Sequence, residues 1–281
     1  MNSTTHVLQP EDTQTSDELR NRKITTSIPA SRISSNTPTT RTSTSNNSSS
    51  QRFLYNIVNH APDEVALHAA ILGAVFAVSS IAALAMLFWR DGFWQLPAYI
   101  SALSAFHFLE YYITARYNPA KVNIDSFLVR NGRSYVFAHV FSLLEATTEL
   151  YLLPFLKTHY LISLLGLTAI LLGQAIRSLA MIHASSNFSH LIVHQREDSH
   201  KLVKTGLYSY TRHPSYFGYF LWALGTQVFL LNPVALVGFS IVLWRFFKRR
   251  IAYEEILLIQ FFGKEYVEYK QTTGTLIPFI P

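Results

Sequence analysis

The sequence predicts an all-α integral membrane protein with about six transmembrane helices, the last two forming a C-terminal helical hairpin. Three observations carry this. The 281 residues are 49% hydrophobic but only 14% charged, on the apolar side of ordinary globular composition. Residues 65–89, VALHAAILGAVFAVSSIAALAMLFW, carry no charge at all. At about 1.5 Å per residue such a run crosses a hydrocarbon layer about 30 Å thick. Finally, Lys and Arg alternate between sparse and dense along the loops, as topology requires of a multi-span chain.

The remaining spans follow in order. Residues 93–115, 134–156 and 159–182 are apolar stretches of spanning length with polar interruptions. Residues 215–231 and 234–247 are shorter and joined by Asn232-Pro233, a polar break that suggests a hairpin. An even number of spans puts both termini on one face. With the N-terminus in the cytosol, the far loops hold only Arg90 and Lys157. The cytosolic side then holds Arg116, Lys121, Arg130, Arg133, Arg196, Lys201, Lys204, Arg212, the Lys248-Arg249-Arg250 cluster, Lys264 and Lys270. The positive-inside rule therefore sets both termini in the cytosol. The net charge of +6 is mostly topological and suits an anionic leaflet. No basic stripe interleaved with aromatics on a soluble domain points to nucleic acid.

Residues 1–60 read as a disordered, Ser/Thr/Asn-rich cytosolic tail, and residues 61–281 as the multi-span membrane domain. With no apolar core near Met1, the first span is expected to direct insertion itself. The absence of cysteine excludes disulfides, thiolate metal sites and a cysteine nucleophile.

Polar groups inside the predicted spans need partners, because an isolated central charge costs about 2.5–3.5 kcal/mol on insertion scales. His107, Glu110, Glu145, Glu149, Gln174 and Arg177 are such groups. Glu145 and Glu149 share a helical face, and Arg177 is the cation expected to come between them. A buried structural network accounts for these residues.

The chemistry is expected further on. SSNFSHLIVHQREDSHKLVKTGLYSYTRHPSY, after residue 184, is too long for an idle connector. His190, His194 and His200 raise the question of a metal, but they lack the HExxH pattern and thiolates, so no metal site is expected. His213 and Pro214 mark a helix start, with Pro at the favoured first position. Capping leaves Arg212 and Tyr216 unexplained. A helix start flanked by Arg and His suits an anionic group such as a carboxylate. Downstream, WRFFKRRIAYEEILLIQFFGKEYVEYK has a helical apolar period that puts Arg250 and Glu254 on one face and turns Glu255 about 100° away. Arg250 and Glu254 are the pair placed for ligand contact, while Lys248 and Arg249 read as boundary residues that snorkel.

These residues resemble the isoprenylcysteine carboxyl methyltransferases of the endoplasmic reticulum membrane. The likeness runs over residues 96–281 through FHFLEYYITA (106–115), DSFL (125–128), AMIHASSNFSHLI (180–192), HKLVKTGLYSYTRHPSYFGYF (200–220), GTQVFLLNP (225–233) and residues 244–270. The spacing of RHPSY, EE and FGxxY resembles a wider membrane methyltransferase superfamily, and the NFSH and HKLV segments resemble its prenylcysteine branch. The resemblance implies methyl esterification of the C-terminal isoprenylcysteine carboxylate of CaaX-type proteins, with S-adenosylmethionine as donor, in a cytosolic pocket formed by the C-terminal half. It implies donor contacts at His200, Lys201, Leu202, Val203, Tyr208, His213, Pro214, Ser215, Tyr216 and Glu254. It implies a substrate-contacting Arg250, and Arg250 with Glu254 as the residues of the chemistry. Two departures stand out: Val193 occupies a contact position that is usually glutamine in the family, with Gln195 nearby, and the family's proline before the Pro-Phe-Ile ending is replaced in TTGTLIPFI. Six spans resemble the fungal-type form.

Competing readings are a phospholipid N-methyltransferase, which would share the donor motif but use an amine nucleophile, and a sterol or lipid reductase. The latter would need a nicotinamide-binding segment that this chain does not suggest. A transporter or lipid-binding scaffold would explain the intramembrane carboxylates but leaves the polar C-terminal half without a purpose, and no inverted repeat is evident.

Overall fold

A computed structural model describes residues 62–89 and 92–281. The expected tail at 1–60 lies outside the described residues. Among those described, the regular structure is entirely helical. The α-helices are α1 (Pro62–Trp89), α2 (Gln95–Tyr117), α3 (Arg133–Leu152), α4 (Tyr160–Ala184), α5 (Pro214–Phe229), α6 (Pro233–Phe262) and α7 (Lys264–Thr272).

The first helix begins with Asp63 and Glu64, which complement the positive end of its dipole. It buries only Ser79 and Ala83, leaving Phe76, Val78, Ile81, Leu84 and Phe88 exposed. That exposure suits a lipid solvent. By length and apolarity alone, two helices pass as membrane spans, Pro62–Trp89 and Tyr160–Asn187. The other expected spans fall short for different reasons: α2 and α3 carry polar side chains, those of α2 largely turned inward, α5 is only 16 residues long, and α6 runs into exposed Arg and Lys side chains. On α2, Gln95, Tyr99, Ser104, His107, Glu110 and Thr114 are all buried.

The inward polar groups pair differently from the sequence expectation. Arg177 does not lie between Glu145 and Glu149. Its guanidinium forks onto Glu110 of α2, with Nη2 2.8 Å from Oε2 and Nε on Oε1. Glu145 accepts the backbone N–H groups of Val234 and Ala235 at 2.7 and 2.6 Å, capping α6. Glu149 takes Lys157 at 2.7 Å. The buried Lys157 ammonium also donates to Leu230 O, Leu231 O and Asn232 Oδ1, each at 2.9 Å. Two like charges a turn apart are thus separated by having different partners. The α5–α6 turn is held by both of them.

Helices α4 and α5 pack antiparallel at close range because glycines line the seam. A Cβ on Gly173 would lie 2.5 Å from Trp222 N and 2.7 Å from Gly218 O, and one on Gly218 would lie 2.6 Å from Arg177 N. Gly166 and Gly225 are similarly closed, against Phe229 N at 2.2 Å and Ala169 Cβ at 2.9 Å. Small residues at such seams let backbones meet, which is how helices gain packing in lipid. Since α4 delivers Arg177 and α5 begins at Pro214, the seam sets the distance between the interior ion pair and the RHPSY cluster. Gly173→Val is expected to destabilise the detergent-solubilised protein by about 1–3 kcal/mol or more, read as a lower midpoint in thermal unfolding; Gly238→Val, at a position with open space, is expected to leave it near the parent value.

The hairpin forms as α5 and α6 with Leu230–Asn232 between them. Its second arm differs from the expectation: α6 runs 30 residues to Phe262, about 45 Å. The apolar run and the cationic EE segment are one uninterrupted helix. Gly263, at φ 57°, ends it and starts α7. The chain then folds back, burying Ile277 and Ile280 against Phe220, Phe247 and Ile251.

Candidate active site

Three pieces of chain surround one cavity of about 160 Å³: the 187–203 connector, the start of α5, and the end of α6 with α7. His213 sits at the N-cap of α5 and Pro214 at its first position, as expected. The His213 ring makes no capping bond; it stacks on Tyr216 at 5.3 Å and reaches Glu255 at 3.4 Å. The connector is tied down at several points. Asn118 Nδ2 donates to Phe188 O at 2.7 Å, and Lys201 N donates to Asn187 Oδ1 at 2.8 Å. His190 Nε2 lies 2.8 Å from Glu110 Oε2.

Tyr216 is the hub of the wall. Its hydroxyl donates to Glu254 Oε2 at 2.6 Å and accepts from Arg250 Nε at 2.8 Å. Arg250 Nη2 donates to His190 O at 2.7 Å, and the guanidinium lies 5.3 Å from the Tyr216 ring centre. The i, i+4 spacing of Arg250 and Glu254 therefore brings both to one phenol, with a helix-surface cation and carboxylate held apart by a shared hydroxyl instead of collapsing into a direct pair. Burial pushes the Tyr208 hydroxyl well above the usual phenol range, so it stays protonated at neutral pH. Burial also lowers His200, and the Lys121 ammonium 3.2 Å away adds to the effect. The His200 imidazole thus holds a proton less readily than a free histidine side chain.

Similarity to known proteins gives this geometry a context. The chain is 48% identical over 223 residues to the protein-S-isoprenylcysteine O-methyltransferase of Saccharomyces cerevisiae, covering 77% of this chain and 91% of the yeast one. The chain belongs to the isoprenylcysteine carboxyl methyltransferase family. The model of that family matches residues 164–260, which hold most of α4, the connector, α5 and nearly all of α6. The Homo sapiens protein-S-isoprenylcysteine O-methyltransferase is 41% identical, over 77% of this chain and 75% of its own. A solved structure of a eukaryotic intramembrane Ras methyltransferase, an isoprenylcysteine carboxyl methyltransferase, aligns with TM-score 0.73 and 37% identity over 77% of each chain. This family member is accordingly a membrane methyltransferase.

Every residue assigned to the donor by family resemblance lines the one cavity: His200, Lys201, Leu202, Val203, Tyr208, His213, Pro214, Ser215, Tyr216 and Glu254. Val193 lines it too, whereas Gln195 is exposed and does not. Arg250 stands outside the lining and touches the wall through Tyr216.

Arg212 also lines the cavity, but its guanidinium is engaged within the chain. Its Nε donates to Glu255 Oε1 at 2.8 Å, Nη2 to Pro281 O at 2.7 Å, and Nη1 to the carbonyls of Thr273 and Lys270. Its donors are spent on fastening the C-terminal segment under the cavity. Glu255, turned away from Glu254 as the helical spacing requires, is the counter-charge and also takes Lys270 at 2.6 Å. His190, His194 and His200 go to separate partners, Glu110, Tyr253 and Lys121.

Sequence reasoning did not single out the α6–α7 contribution: Leu257, Leu258, Phe261, Phe262, Tyr266 and Tyr269 close the cavity's apolar side. The FGxxY spacing was the available signal. Gly263 turns the chain so that Tyr266 comes back over the cavity, where its buried hydroxyl has no hydrogen-bond partner among the described residues.

Proposed function

We propose that this methyltransferase esterifies the C-terminal α-carboxylate of isoprenylcysteine on CaaX-type proteins, taking the methyl group from S-adenosylmethionine. The observation that carries the reading is the Tyr216 hydroxyl, which bridges a carboxylate inside the cavity to a guanidinium at its wall.

The cavity's lining chemistry fits the donor, although its unfilled volume of about 160 Å³ is below the range of about 300–1,000 Å³ usual for cofactor sites. Glu254 suits an ammonium group, and Lys201 suits a carboxylate. Tyr208, Tyr266 and the phenylalanines offer faces to an adenine ring and a sulfonium. The unpartnered Tyr266 hydroxyl is the sort of buried polar atom a ligand satisfies. When bound, the donor supplies an electrophilic methyl group.

The chain's own residues must hold, dry and align. A C-terminal carboxylate has an unperturbed pKa of about 3.3–3.7 and is already an anion at neutral pH, so no general base is required. Arg250 orients that anion through a guanidinium whose Nε and Nη2 are fixed by Tyr216 and His190. Because two of its edges are committed, it steers the carboxylate without forking over both oxygens, which leaves one free to take the methyl group. The methyl ester is neutral, so Arg250 holds the product less tightly than the substrate. The aromatic side of the cavity excludes water, which strengthens these polar contacts and removes a competing shell around the carboxylate.

A phospholipid N-methyltransferase is less well served: an amine acceptor, cationic before deprotonation, would be repelled by Arg250.

The membrane setting is part of the proposal. The cavity lies on the cytosolic side of an endoplasmic reticulum membrane crossed six times, with both termini cytosolic; the dense Lys and Arg content of the loops that would face the cytosol supports this. A single prenyl chain partitions reversibly, so the acceptor reaches the site from the bilayer and the donor from water. Purified protein is expected to methylate N-acetyl-S-farnesylcysteine and not N-acetylcysteine, with donor or its spent thioether binding detected by calorimetry. Equal rates on both acceptors would remove lipid recognition from the proposal.

A further inference from the structure

The arginines of the described residues divide into those that are held and those that are not. Arg177, Arg212 and Arg250 are each fixed by carboxylates, carbonyls or a hydroxyl, and Arg196 donates to Phe261 O at 2.6 Å while lying over the Phe262 ring. Arg116, Arg130 and Arg133 make no hydrogen bond or ion pair among the described residues, and neither do the exposed Arg245 and Arg249 on α6. The last two sit four apart and so share a face, about 5–6 Å apart at Cβ. Two cations at that spacing repel by a few tenths of a kcal/mol unless an anion comes between them.

What lies beside them is apolar. Arg245 and Arg249 line an open groove with Ile241, Val242, Phe246 and Ile192, and Arg250 closes its end. Ile241 and Val242 lie one turn before Arg245, within the apolar stretch of α6, and both are exposed. The groove therefore grades from hydrocarbon to paired positive charge along the axis of one helix. Lys248 belongs to another face: it does not line the groove, and its ammonium lies 4.7 Å from the Trp244 ring centre.

From this gradation we infer that the groove is a binding site for an anionic phospholipid of the surrounding bilayer. The phosphate and headgroup charge lie between Arg245 and Arg249, and an acyl chain covers Ile241, Val242 and Phe246. A zwitterionic phospholipid matches the apolar floor but brings no net negative charge to the two arginines. A soluble anion matches the arginines but leaves the floor uncovered. The groove meets the proposed acceptor site at Arg250, whereas Arg245 and Arg249, which carry the inference, have no part in that proposal.

The test uses the full chain in nanodiscs of phosphatidylcholine doped with phosphatidylserine, with the retained lipid identified by native mass spectrometry. The parent is expected to retain phosphatidylserine in preference to phosphatidylcholine. At about 1 kcal/mol per basic residue near an anionic surface, R245Q or R249Q should weaken that preference about 5-fold and R245Q/R249Q about 30-fold. K248Q removes the same charge from the neighbouring position and is expected to keep the preference. All of these positions are exposed, so equal thermal midpoints in pure phosphatidylcholine will show that the variants are folded. The inference is overturned if the double variant retains phosphatidylserine like the parent. It is equally overturned if K248Q loses as much as R249Q, since that is diffuse attraction to a basic surface.

Discussion

Arg250→Ala is expected to lower kcat/KM for a farnesylcysteine acceptor by about 10- to 100-fold, mostly through KM, the range set by about 1.5–3 kcal/mol for a hydrogen bond to the charged carboxylate it aligns. The loss should appear with the fold intact, because Arg250 sits at the rim of the cavity and only partly buried. Arg250→Lys should rescue little: one ammonium cannot reach Tyr216 and His190 O and still face a carboxylate in the guanidinium's fixed plane. Glu254→Ala separates the two sides of the Tyr216 bridge. It should weaken donor binding by about 10- to 100-fold, the range set by about 1.5–3 kcal/mol for a hydrogen bond to a charged group, while altering the acceptor KM much less. Steady-state kinetics with farnesyl and geranylgeranyl cysteine analogues, together with calorimetric donor titration, distinguish these outcomes. Parent-like kcat/KM in both variants would remove Arg250 and Glu254 from the chemistry.

The second large effect lies inside the helical bundle. Glu110 is 1% exposed, and its carboxylate carries Arg177 and His190 together. Glu110→Ala strands the Arg177 guanidinium, which is itself buried and also donates to Ser215 Oγ and Ser215 O at 3.1 and 3.2 Å. Removing one partner of a buried pair typically costs about 3–5 kcal/mol, whereas replacing both by apolar groups of similar volume is often close to neutral. Glu110→Ala is therefore expected to melt far below the parent in detergent, or to fail to accumulate as a monodisperse peak. Glu110→Leu/Arg177→Met should recover most of that stability. It should not recover activity, since the double variant also frees the His190 segment that fixes Arg250 and the Ser215 wall of the cavity. A single variant as stable as the parent would mean that the pair is not what joins α2 to α4.

These two experiments touch opposite kinds of residue, and the sequence treats them differently. Arg250 and Glu254 are legible because their relation is local: four residues on a helix share a face, and that helix follows a cationic cluster. The same holds for His213-Pro214 as a helix start and for Asn232-Pro233 as a hairpin turn. The residues from His200 to Tyr216 that are proposed to hold the donor stand close together in the chain, so a single folded connector suffices to gather them. The partner of Arg177 is not legible in this way. Glu110, Glu145 and Glu149 are all carboxylates within apolar stretches, and nothing in their spacing says which of them meets α4. The tertiary structure sends Glu110 to Arg177, Glu149 to Lys157 and Glu145 to the first amides of α6. Arg212 behaves the same way. Its position beside His213 suggests a ligand, but the chain's return past Thr273 supplies carbonyls and Glu255 that use its donors first.

The glycine seam gives a third case. Gly166 and Gly173 are spaced seven apart, as are Gly218 and Gly225, and in isolation either pair is only a weak interruption of a helix. Their meaning appears when the two helices are laid antiparallel, where a Cβ at Gly173 or Gly218 would meet opposing backbone.

By itself, then, the sequence determined the helical class and the sites of helix initiation and reversal, because each depends on interactions over a turn or on hydrophobic length; the residues that surround the cavity were implied by family resemblance. The tertiary structure alone decided which charge answers which, how closely α4 approaches α5, and that α6 carries its apolar run and the Arg250–Glu254 pair as one rod. The physical reason is common to all three. In a bundle with little water, a charge or a backbone surface takes the nearest partner that packing brings to it, and that neighbour is usually dozens of residues away along the chain.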